Sequence, residues 1–431
     1  MTVQSDYAAK LVTPAVAARL VRDHETIVVP IGAGEPPLLL EALSERRDEL
    51  RGVVVSQLLG LGRYAYLDPM TRDHVRHSSA FLGGATRAGA QEGWIDWVPA
   101  HFSDIPRMIQ AGTMPCDVVF AQVSPMDAHG YFALGLSTDY SLAAMAKARA
   151  IVLEANPGIP FTFGNCHIHI SKVAAVVESE RPVAELGASQ IGPVQTKIAR
   201  HVAELIPDGA TLQIGIGGIP DAVVKQLMAK NDLGLHTEMF GNGTLALLEA
   251  GVITNRYKNV NQGKMIATFA LGSSHLYEYM HLNPALEMHP VDVTNSPWIA
   301  GLNDNLHSIN GTLAVDFFGQ CGSESLGTKP FSGPGGQYDF VRAANLSKGG
   351  KSIIVLPATA KNDTISRIVP TLPAGTPVTT PKNDVNYVVT EYGSAQLRGR
   401  PVRERAESLI SIAHPKFRDE LTTQAKELRI L

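Results

Sequence analysis

Residues 199–220 are ARHVAELIPDGATLQIGIGGIP, and residues 16–37, which lie 183 positions earlier, are VAARLVRDHETIVVPIGAGEPP. Both stretches have the same order: a helix, a turn, a short apolar strand, the loop Ile-Gly-x-Gly-x-x-Pro and the start of a second helix. This internal repeat predicts the same strand-loop-helix unit in each half of the chain, with the glycine loop at the carboxyl end of the strand.

Further short apolar runs follow each copy of the repeat and predict more strands of the same kind. The helical spacing of Leu, Val and Ala over 38–48 and 221–230 supplies the intervening helices. Alternating strands and helices favour an α/β fold made of two similar doubly wound, mostly parallel-sheet domains. Turn residues near 185–194 place the boundary so that the domains cover 1–190 and 191–431. The additional predicted strands are Gly52–Gln57, Asp117–Val123, Ala150–Leu153, Asn310–Phe317, Ser352–Leu356 and Val385–Val389.

The composition excludes several classes of protein. Of the 431 residues, 45% are hydrophobic and 18% are charged, the net charge is -4, and no basic stripe interleaved with aromatic residues occurs. We therefore expect small-molecule ligands, and neither nucleic acid nor a membrane as a partner. Three widely separated cysteines indicate a reducing compartment, and the absence of an apolar run of membrane-spanning length or of a signal-like start indicates a cytoplasmic protein.

The glycine loop Leu212-Gln-Ile-Gly-Ile-Gly-Gly-Ile-Pro220 resembles a dinucleotide-binding turn only in part. Pro220 replaces the third glycine, so an anion or a carbonyl oxygen at the helix N-terminus is a better match than a nicotinamide cofactor. Glu238 follows in His236-Thr-Glu-Met-Phe240. A carboxylate beside backbone N–H groups can attack a thioester, and the same groups can hold the oxyanion. The alternative is a surface glutamate after a tight turn.

A second glycine cluster, Phe331-Ser-Gly-Pro-Gly-Gly-Gln-Tyr-Asp-Phe340, also allows a ligand to approach the backbone, although a plain surface turn would have the same composition. Two polar segments, Ala358-Thr-Ala-Lys-Asn362 and Val389-Thr-Glu-Tyr-Gly393, each follow an apolar strand. Lys361 and Glu391 are therefore predicted at strand exits, where a doubly wound fold builds its site.

Other polar residues are candidates for metal ligands, cleft-lining groups or structural residues. Cys166, His167 and His169 lie close together in sequence, but they divide between the two faces of a strand and no second ligand cluster is evident, so no metal site is predicted. Glu35, beside the glycines of the first copy of the repeat, is a candidate to line a cleft. His129 and Cys321 are assigned structural roles.

Taken together, these motifs resemble the acetyl-CoA hydrolase/transferase family of class I coenzyme A transferases. The resemblance covers nearly the whole chain. It is carried by Gly215-Ile-Gly-Gly-Ile-Pro220, His236-Thr-Glu-Met-Phe240, Ser332-Gly-Pro-Gly-Gly-Gln-Tyr-Asp-Phe340, Thr359-Ala-Lys361 and Thr390-Glu-Tyr-Gly393, with Gln122-Val-Ser-Pro-Met-Asp127 in the first half.

The resemblance implies a role for each matching residue. Glu238 would become a glutamyl-CoA thioester, Glu391 would line the site, and Asn295 is a weaker match to an active-site asparagine. No metal and no permanently bound cofactor is implied, because coenzyme A is both substrate and covalent intermediate. The residues implied to contact coenzyme A or to form the oxyanion hole are Gly215, Ile216, Gly217, Gly218, Ile219, Gly335, Gly336 and Lys361.

The implied reaction is ping-pong transfer of coenzyme A from acetyl-, succinyl- or butyryl-CoA to a small carboxylate such as 4-hydroxybutyrate or itaconate. An acyl-CoA hydrolase would share every motif and remains the alternative, and a non-catalytic or sugar-phosphate-handling protein of related fold is a more distant one. A dicarboxylate would require a further cation, for which Arg63, Arg87 and Arg342 are candidates. The resemblance also implies a homodimer or a larger homo-oligomer.

Overall fold

The structure is a computed structural model, and it describes residues 2–187, 189–215 and 217–431. Thr2, Thr13 and Ser296 cap helices with their hydroxyls, and prolines stand in the first turn of several others, where no N–H is needed. In chain order the helices are α1 (Val3–Lys10), α2 (Pro14–Ala18), α3 (Pro37–Glu45), α4 (Arg87–Glu92), α5 (Ile105–Ala111), α6 (Ser141–Lys147), α7 (Pro193–Leu205), α8 (Gly218–Leu227), α9 (Asn242–Glu249), α10 (Ser274–Met280), α11 (Val291–Thr294), α12 (Pro297–Ala300), α13 (Gln337–Leu346), α14 (Val402–Ser411) and α15 (Pro415–Glu427).

The strands that form the two main sheets are short and mostly buried on both faces, which is typical of parallel sheets covered by helices. In chain order the strands are β1 (Thr26–Val28), β2 (Val53–Ser56), β3 (Val75–Ser79), β4 (Asp96–Trp97), β5 (Val118–Val123), β6 (Tyr131–Ala133), β7 (Ala150–Ala155), β8 (Phe163–Gly164), β9 (His167–His169), β10 (Ala175–Glu178), β11 (Thr211–Ile214), β12 (Gly234–Leu235), β13 (Met239–Phe240), β14 (Met265–Ala267), β15 (Phe269–Ala270), β16 (Leu286–Met288), β17 (Leu306–Gly311), β18 (Ala314–Asp316), β19 (Cys321–Gly322), β20 (Ser325–Leu326), β21 (Lys329–Pro330), β22 (Lys351–Val355), β23 (Thr359–Ala360), β24 (Ile365–Ser366), β25 (Ile368–Val369), β26 (Tyr387–Thr390) and β27 (Gly393–Gln396).

Contacts within the chain divide it into two compact units, and the first consists of Met1–Gly187, Met239–Asn242 and Ile266–Thr294. Its main sheet has the order β10-β7-β5-β1-β2-β3-β4, and every pairing in it is parallel. From β1 the chain first adds β2, β3 and β4 on one side and then β5, β7 and β10 on the other, so the sheet is doubly wound. Leu39, Leu40 and Leu43 of α3 are fully buried in its core, and each contributes about 1.5–3 kcal/mol by burial.

The second unit consists of Ala188–Glu238, Gly243–Met265 and Asn295–Leu431. Its main sheet has the order β12-β11-β17-β22-β26-β27, and only the β26–β27 pair of this sheet is antiparallel. After β11 the chain adds β12 on one side and β17 on the other, so the order reverses at β11. A reversal of this kind opens a crevice at the carboxyl ends of the strands, where ligands of doubly wound folds bind.

The predicted fold class is confirmed: each main sheet is doubly wound, and only β27 runs antiparallel in the two sheets. The predicted single strand over Asn310–Phe317 is wrong. Strand β17 begins earlier and ends at Gly311, and β18 belongs to a separate sheet with β19 and β25. Between them the Thr312 hydroxyl lies 3.1 Å from the carbonyl oxygens of both Ala314 and Gly322 and can donate to either one.

The domain boundary placed at residue 190 stays a prediction. Each compact unit contains three separate segments of the chain, so the units do not correspond to a single cut in the sequence. Among the described residues, no helix combines the length and the hydropathy that crossing a bilayer requires.

Candidate active site

The loop after β11 brings backbone groups to the crevice of the second sheet. A side chain at Gly215 would lie 3.2 Å from the carbonyl oxygen of Ile309, so the glycine permits close approach of β17. Gly217 has a φ of 121°, which glycine adopts without strain. Helix α8 begins at Gly218, with Ile219 in its first turn, and the N–H groups of a first turn have no partner within their own helix. Ile216 lies outside the described residues.

The segment that carries Glu238 is held by side-chain hydrogen bonds to both backbone groups of Leu235. The Leu235 N–H donates to Asn255 Oδ1 at 2.9 Å, and its carbonyl oxygen accepts from Lys258 Nζ at 2.9 Å. Two residues on, the hydroxyl of the fully buried Thr237 is within 3.3 Å of the Ile214 N–H and 3.4 Å of the Ile214 carbonyl oxygen. These bonds fix the direction in which the chain leaves β12.

Replacing the buried Lys258 with methionine is expected to lower the free energy of unfolding by about 1–3 kcal/mol. The ammonium group donates to the carbonyl oxygens of Leu235 and Lys264, and methionine has no donor to replace it. Urea unfolding measures the change. The matched control is Lys348→Met at an exposed position, for which we expect a change within about 0.5 kcal/mol. Equal losses in both variants would contradict this prediction.

Glu238 meets two donors from other parts of the second unit. Asn295 Nδ2 donates to Glu238 Oε2 at 2.7 Å, and the backbone of Gly336 also hydrogen-bonds to this carboxylate. Asn295 Nδ2 in turn lies 3.5 Å from Asp339 Oδ2. Glu238 itself is partly buried, whereas Asn295 and Asp339 are buried. The structure thus brings together Glu238, Asn295 and Gly336, which the sequence assigns to one site.

Position 336 has no room for a side chain, because Glu238 and Asn295 pack directly against it. Its φ of -98° and ψ of 12° are open to any residue, but a Cβ atom there would lie 1.9 Å from Glu238 Oε2 and 2.2 Å from Asn295 Nδ2. Gly336 caps the N-terminus of α13, and its neighbour Gly335 has a φ of 51° that directs the chain into the helix. The carboxylate of Glu238 therefore sits at a helix N-terminus, where the dipole favours negative charge.

The pKa of Glu238 is raised to about 7. Burial is the largest cause, and the negative charge of Asp339 acts in the same direction. The hydrogen bonds from Asn295 and from the Gly336 backbone oppose the rise. A carboxylate with such a pKa is partly ionised at neutral pH and more basic than an ordinary glutamate, which is typical of a reactive group.

Glu391 and Lys361, which the sequence also assigns to the site, follow strands β26 and β23 of the second unit. Glu391 Oε2 accepts a hydrogen bond from the Ala358 N–H at 2.9 Å, and within the described ranges no hydrogen bond or ion pair joins it to Glu238. Lys361 is exposed at the tip of the β23–β24 hairpin. It has a φ of 48°, and the next two residues, Asn362 and Asp363, also have positive φ values, of 54° and 60°. Positive φ values are uncommon for residues other than glycine, so three in succession mark a tight turn at the tip of this hairpin.

Three residues that contact Glu238, its neighbour Asn295 or its backbone segment are not predicted from the sequence: Asp339, Thr237 and Lys258. Asp339 stands inside the quoted motif around Gly336, so the motif was a signal for it, but its distance from Glu238 depends on how α13 packs. Thr237 precedes Glu238 directly. Lys258 carried no signal, since an isolated lysine in a polar segment is normally exposed.

The candidate arginines are in different surroundings. Arg342 is paired with Asp384, whose Oδ1 lies 2.6 Å from its Nη1, so its charge is already matched. Arg63 is exposed and lines a cavity of about 580 Å³ in the first unit, together with Arg47. Arg87 lies in α4 of the same unit.

Glu35 is fully engaged within the first unit. Its carboxylate accepts from Gln57 Nε2 at 2.7 Å, from the N–H groups of Leu61 and Gly62 at 3.1 and 2.8 Å, and from the Tyr64 hydroxyl at 2.6 Å. It orders the loop after β2. As for metal ligands, no group of three or more His, Cys, Asp or Glu side chains in the described part of the chain is arranged to hold an ion.

Comparison with known families gives two matches that together span most of the chain. Residues 1–186 match the acetyl-CoA hydrolase/transferase N-terminal domain, and residues 272–425 match the acetyl-CoA hydrolase/transferase C-terminal domain.

Individual proteins match over nearly the full length. The chain is 48% identical to succinyl-CoA:cyclohexane-1-carboxylate CoA transferase of Geobacter metallireducens, over 99% of this chain and 97% of that one. It is 42% identical to 4-hydroxybutyrate coenzyme A transferase of Clostridium kluyveri, over 98% of each. Among solved structures, RipA from Yersinia pestis superposes with a TM-score of 0.95 at 39% identity, over 100% of both chains.

Proposed function

The chain belongs to the acetyl-CoA hydrolase/transferase family and is a CoA-transferase, and we propose that it moves coenzyme A from a short acyl-CoA to a small carboxylate through a thioester on Glu238. The observation that carries this proposal is the arrangement of Glu238 with two donors, the Asn295 amide and the Gly336 backbone. A nucleophilic carboxylate and hydrogen-bond donors for an oxyanion are the groups that acyl transfer needs.

In the first half of the reaction, a Glu238 oxygen attacks the thioester carbonyl carbon of the acyl-CoA. The carbon–sulfur bond breaks, coenzyme A leaves as a thiolate, and an acyl–glutamyl anhydride remains. The thiolate then attacks the Glu238 carbonyl carbon. The anhydride carbon–oxygen bond on that side breaks, the first carboxylate departs, and Glu238 carries coenzyme A as a thioester.

In the second half, the incoming carboxylate attacks the Glu238 thioester and the same two steps run in reverse. The products are a new acyl-CoA and a free Glu238 carboxylate. Asn295 Nδ2 and the Gly336 N–H hold the Glu238 carboxylate at the start, and they remain close to the glutamyl oxygen as charge develops on it. The site has to exclude water, because water would hydrolyse either intermediate.

Coenzyme A is the substrate that the loop after β11 is proposed to bind. The N–H groups at Gly217, Gly218 and Ile219 suit the polar and anionic parts of the molecule, and the exposed ammonium of Lys361 suits a phosphate. Glu391 is proposed to support this region through its bond to the Ala358 N–H.

The activity is expected to fall on the acid side of neutrality. Only ionised Glu238 can attack, and its pKa is about 7. Below that pH, kcat/KM for the acyl-CoA donor should fall by about tenfold per pH unit, because this parameter reports the ionisation of the free enzyme. Initial rates across a buffered pH series measure it. A profile that stays flat down to the ordinary range of glutamate, about pH 4 to 5, would contradict the prediction.

The acceptor is proposed to be a small carboxylate, as in the named reactions of the relatives, which use 4-hydroxybutyrate and cyclohexane-1-carboxylate. A panel of these two acids with itaconate, acetate and butyrate, each with acetyl-CoA, succinyl-CoA and butyryl-CoA as donors, ranks the pairs by kcat/KM.

The test of the mechanism traps the thioester. The protein is incubated with acetyl-CoA or succinyl-CoA and treated with borohydride, which reduces a glutamyl thioester to an alcohol, and peptide mass spectrometry locates the change. We expect reduction at Glu238 and none in Glu238→Ala. Coenzyme A turnover that persists unchanged in Glu238→Ala, with no reduced peptide in the wild type, would overturn the mechanism.

The hydrolase alternative is separated by the dependence on acceptor. A transferase releases little free coenzyme A whether or not a carboxylate is present, because the thiolate passes to Glu238 and then into the acyl-CoA of the acceptor. A hydrolase releases free coenzyme A steadily without any acceptor. Measuring free thiol together with formation of the acceptor's acyl-CoA, with and without the acceptor panel, distinguishes the two.

A further inference from the structure

Asp339 is a second carboxylate beside Glu238 to which the proposed mechanism assigns no role. It lies in the first turn of α13 and is 4% exposed. Asn295 Nδ2 donates to Glu238 Oε2 at 2.7 Å and lies 3.5 Å from Asp339 Oδ2. A single side-chain amide therefore faces two carboxylates.

This geometry determines which way the Asn295 amide points. Its nitrogen carries two N–H donors, and its oxygen can only accept. Turning the amide over would place Oδ1 against carboxylate oxygens, which repel it. In the part of the chain that the structure describes, the buried Asn295 Oδ1 has no hydrogen-bond partner. The amide oxygen is therefore unpaired among the described residues, while the amide nitrogen faces Glu238 and Asp339.

The charge of Asp339 also acts on Glu238 directly. Within the described ranges, it is the charged group that raises the pKa of Glu238, after burial as the larger cause. The other titratable side chain on the same segment, His236, faces Phe340 in an edge-on contact with ring centroids 6.4 Å apart. The like-charge repulsion exists only while Glu238 is ionised.

We propose that Asp339 is a positioning residue for coenzyme A transfer: it holds the Asn295 amide toward Glu238 and places a like charge beside the nucleophile that is relieved when Glu238 becomes an acyl group. This inference rests on the proposed function, in which Glu238 is the nucleophile. Relief of an unfavourable interaction on the way to the intermediate favours the attack, because the ground state is raised and the acylated state is not.

A purely structural role is the competing explanation. An acidic side chain in the first turn of a helix stabilises the helix through the dipole, and Asp339 occupies the third position of α13. Such a role would affect how much protein folds, but it would not change the pH at which the reaction of Glu238 reaches half its maximal rate.

The experiment measures Glu238 modification in a single turnover with succinyl-CoA, across a pH series, by borohydride reduction and peptide mass spectrometry. Asp339→Asn removes the charge and keeps an oxygen that can accept from Asn295. Asp339→Ala removes both the charge and the acceptor. The matched control is Glu404→Gln, which neutralises a first-turn carboxylate of α14, another ten-residue helix of the second unit.

In Asp339→Asn we expect the half-maximal pH to move down by about one pH unit and the rate on the alkaline plateau to fall severalfold. In Asp339→Ala we expect the same shift and a larger fall, since the amide is no longer held. Glu404→Gln should match the wild type. The half-maximal pH does not depend on the folded fraction, so a partly unfolded variant still gives an answer.

An unchanged half-maximal pH in both Asp339 variants, with modification of Glu238 intact in the wild type, would overturn the inference and leave the proposed function standing. Absence of Glu238 modification in the wild type would instead overturn the proposed function, and this inference with it.

Discussion

Glu238→Gln is expected to lower kcat by on the order of 10⁴-fold or more, as removal of a covalent nucleophile does in other enzymes. Glutamine nearly preserves the size of the side chain and keeps an oxygen that can accept from Asn295 and Gly336. The amide is uncharged, however, and its nitrogen electron pair is delocalised into the carbonyl group, so glutamine is a far weaker nucleophile toward a thioester than a carboxylate. The fall should therefore appear in kcat with little change in the amount of folded protein.

The measurement is steady-state transfer to a saturating acceptor, with circular dichroism to verify folding. Glu427→Gln is the matched control, because this glutamate is exposed on α15 of the same unit, and its kcat should equal that of the wild type. A Glu238→Gln protein that keeps more than about a tenth of wild-type kcat would be incompatible with covalent catalysis by this residue.

Gly336→Ala is expected to lower kcat by on the order of 10³-fold, since displacement of a reacting group by about 1 Å and loss of one oxyanion donor each cost about 10²-fold or more. The added methyl group would lie 1.9 Å from Glu238 Oε2, so the carboxylate has to move away from the helix N-terminus. The backbone conformation at Gly336 suits alanine, so folding should be retained.

The control for this variant is Gly311→Ala at the exposed end of β17, where a new Cβ would have its nearest neighbour at 4.0 Å. We expect kcat within about twofold of the wild type for that change, because it adds a methyl group to open space. The pH profile adds a second check, because Gly336→Ala removes a hydrogen bond that opposes the rise in the Glu238 pKa. If Gly336→Ala retains full activity, Glu238 does not react from the position described.

Local patterns carried most of the fold prediction. A short apolar run that ends in glycine and is followed by helical spacing specifies a strand, a loop and a helix without reference to distant residues, and β1 and β11 follow that pattern. Strand β17 was misplaced because His307 and Ser308 are polar although they are fully buried. Burial of that kind depends on neighbouring elements, which periodicity does not record.

The candidate site was likewise predictable where local motifs specify it and not where it depends on tertiary packing. Glu238, Asn295 and Gly336 could be selected from motifs, but their mutual distances follow from the packing of α13 against β17 and β22, which no motif encodes. Asp339 was overlooked for that reason, since a carboxylate in the first turn of a helix normally serves the helix. Glu391 is predicted to line the site, and its hydrogen bond to Ala358 cannot be anticipated from the sequence, because the bond joins the ends of two neighbouring strands.

Strand β12, which leads to Glu238, is the outermost strand of its sheet, and such a strand can recruit a strand from another molecule. The outer side of Leu235 is taken up by Asn255 and Lys258, and Leu233 forms a bridge with Ile253. The contacts that orient the Glu238 segment therefore also keep this border from acting as a template for aggregation. A charge buried at that border favours a monodisperse protein, and changes that loosen it endanger solubility as well as catalysis.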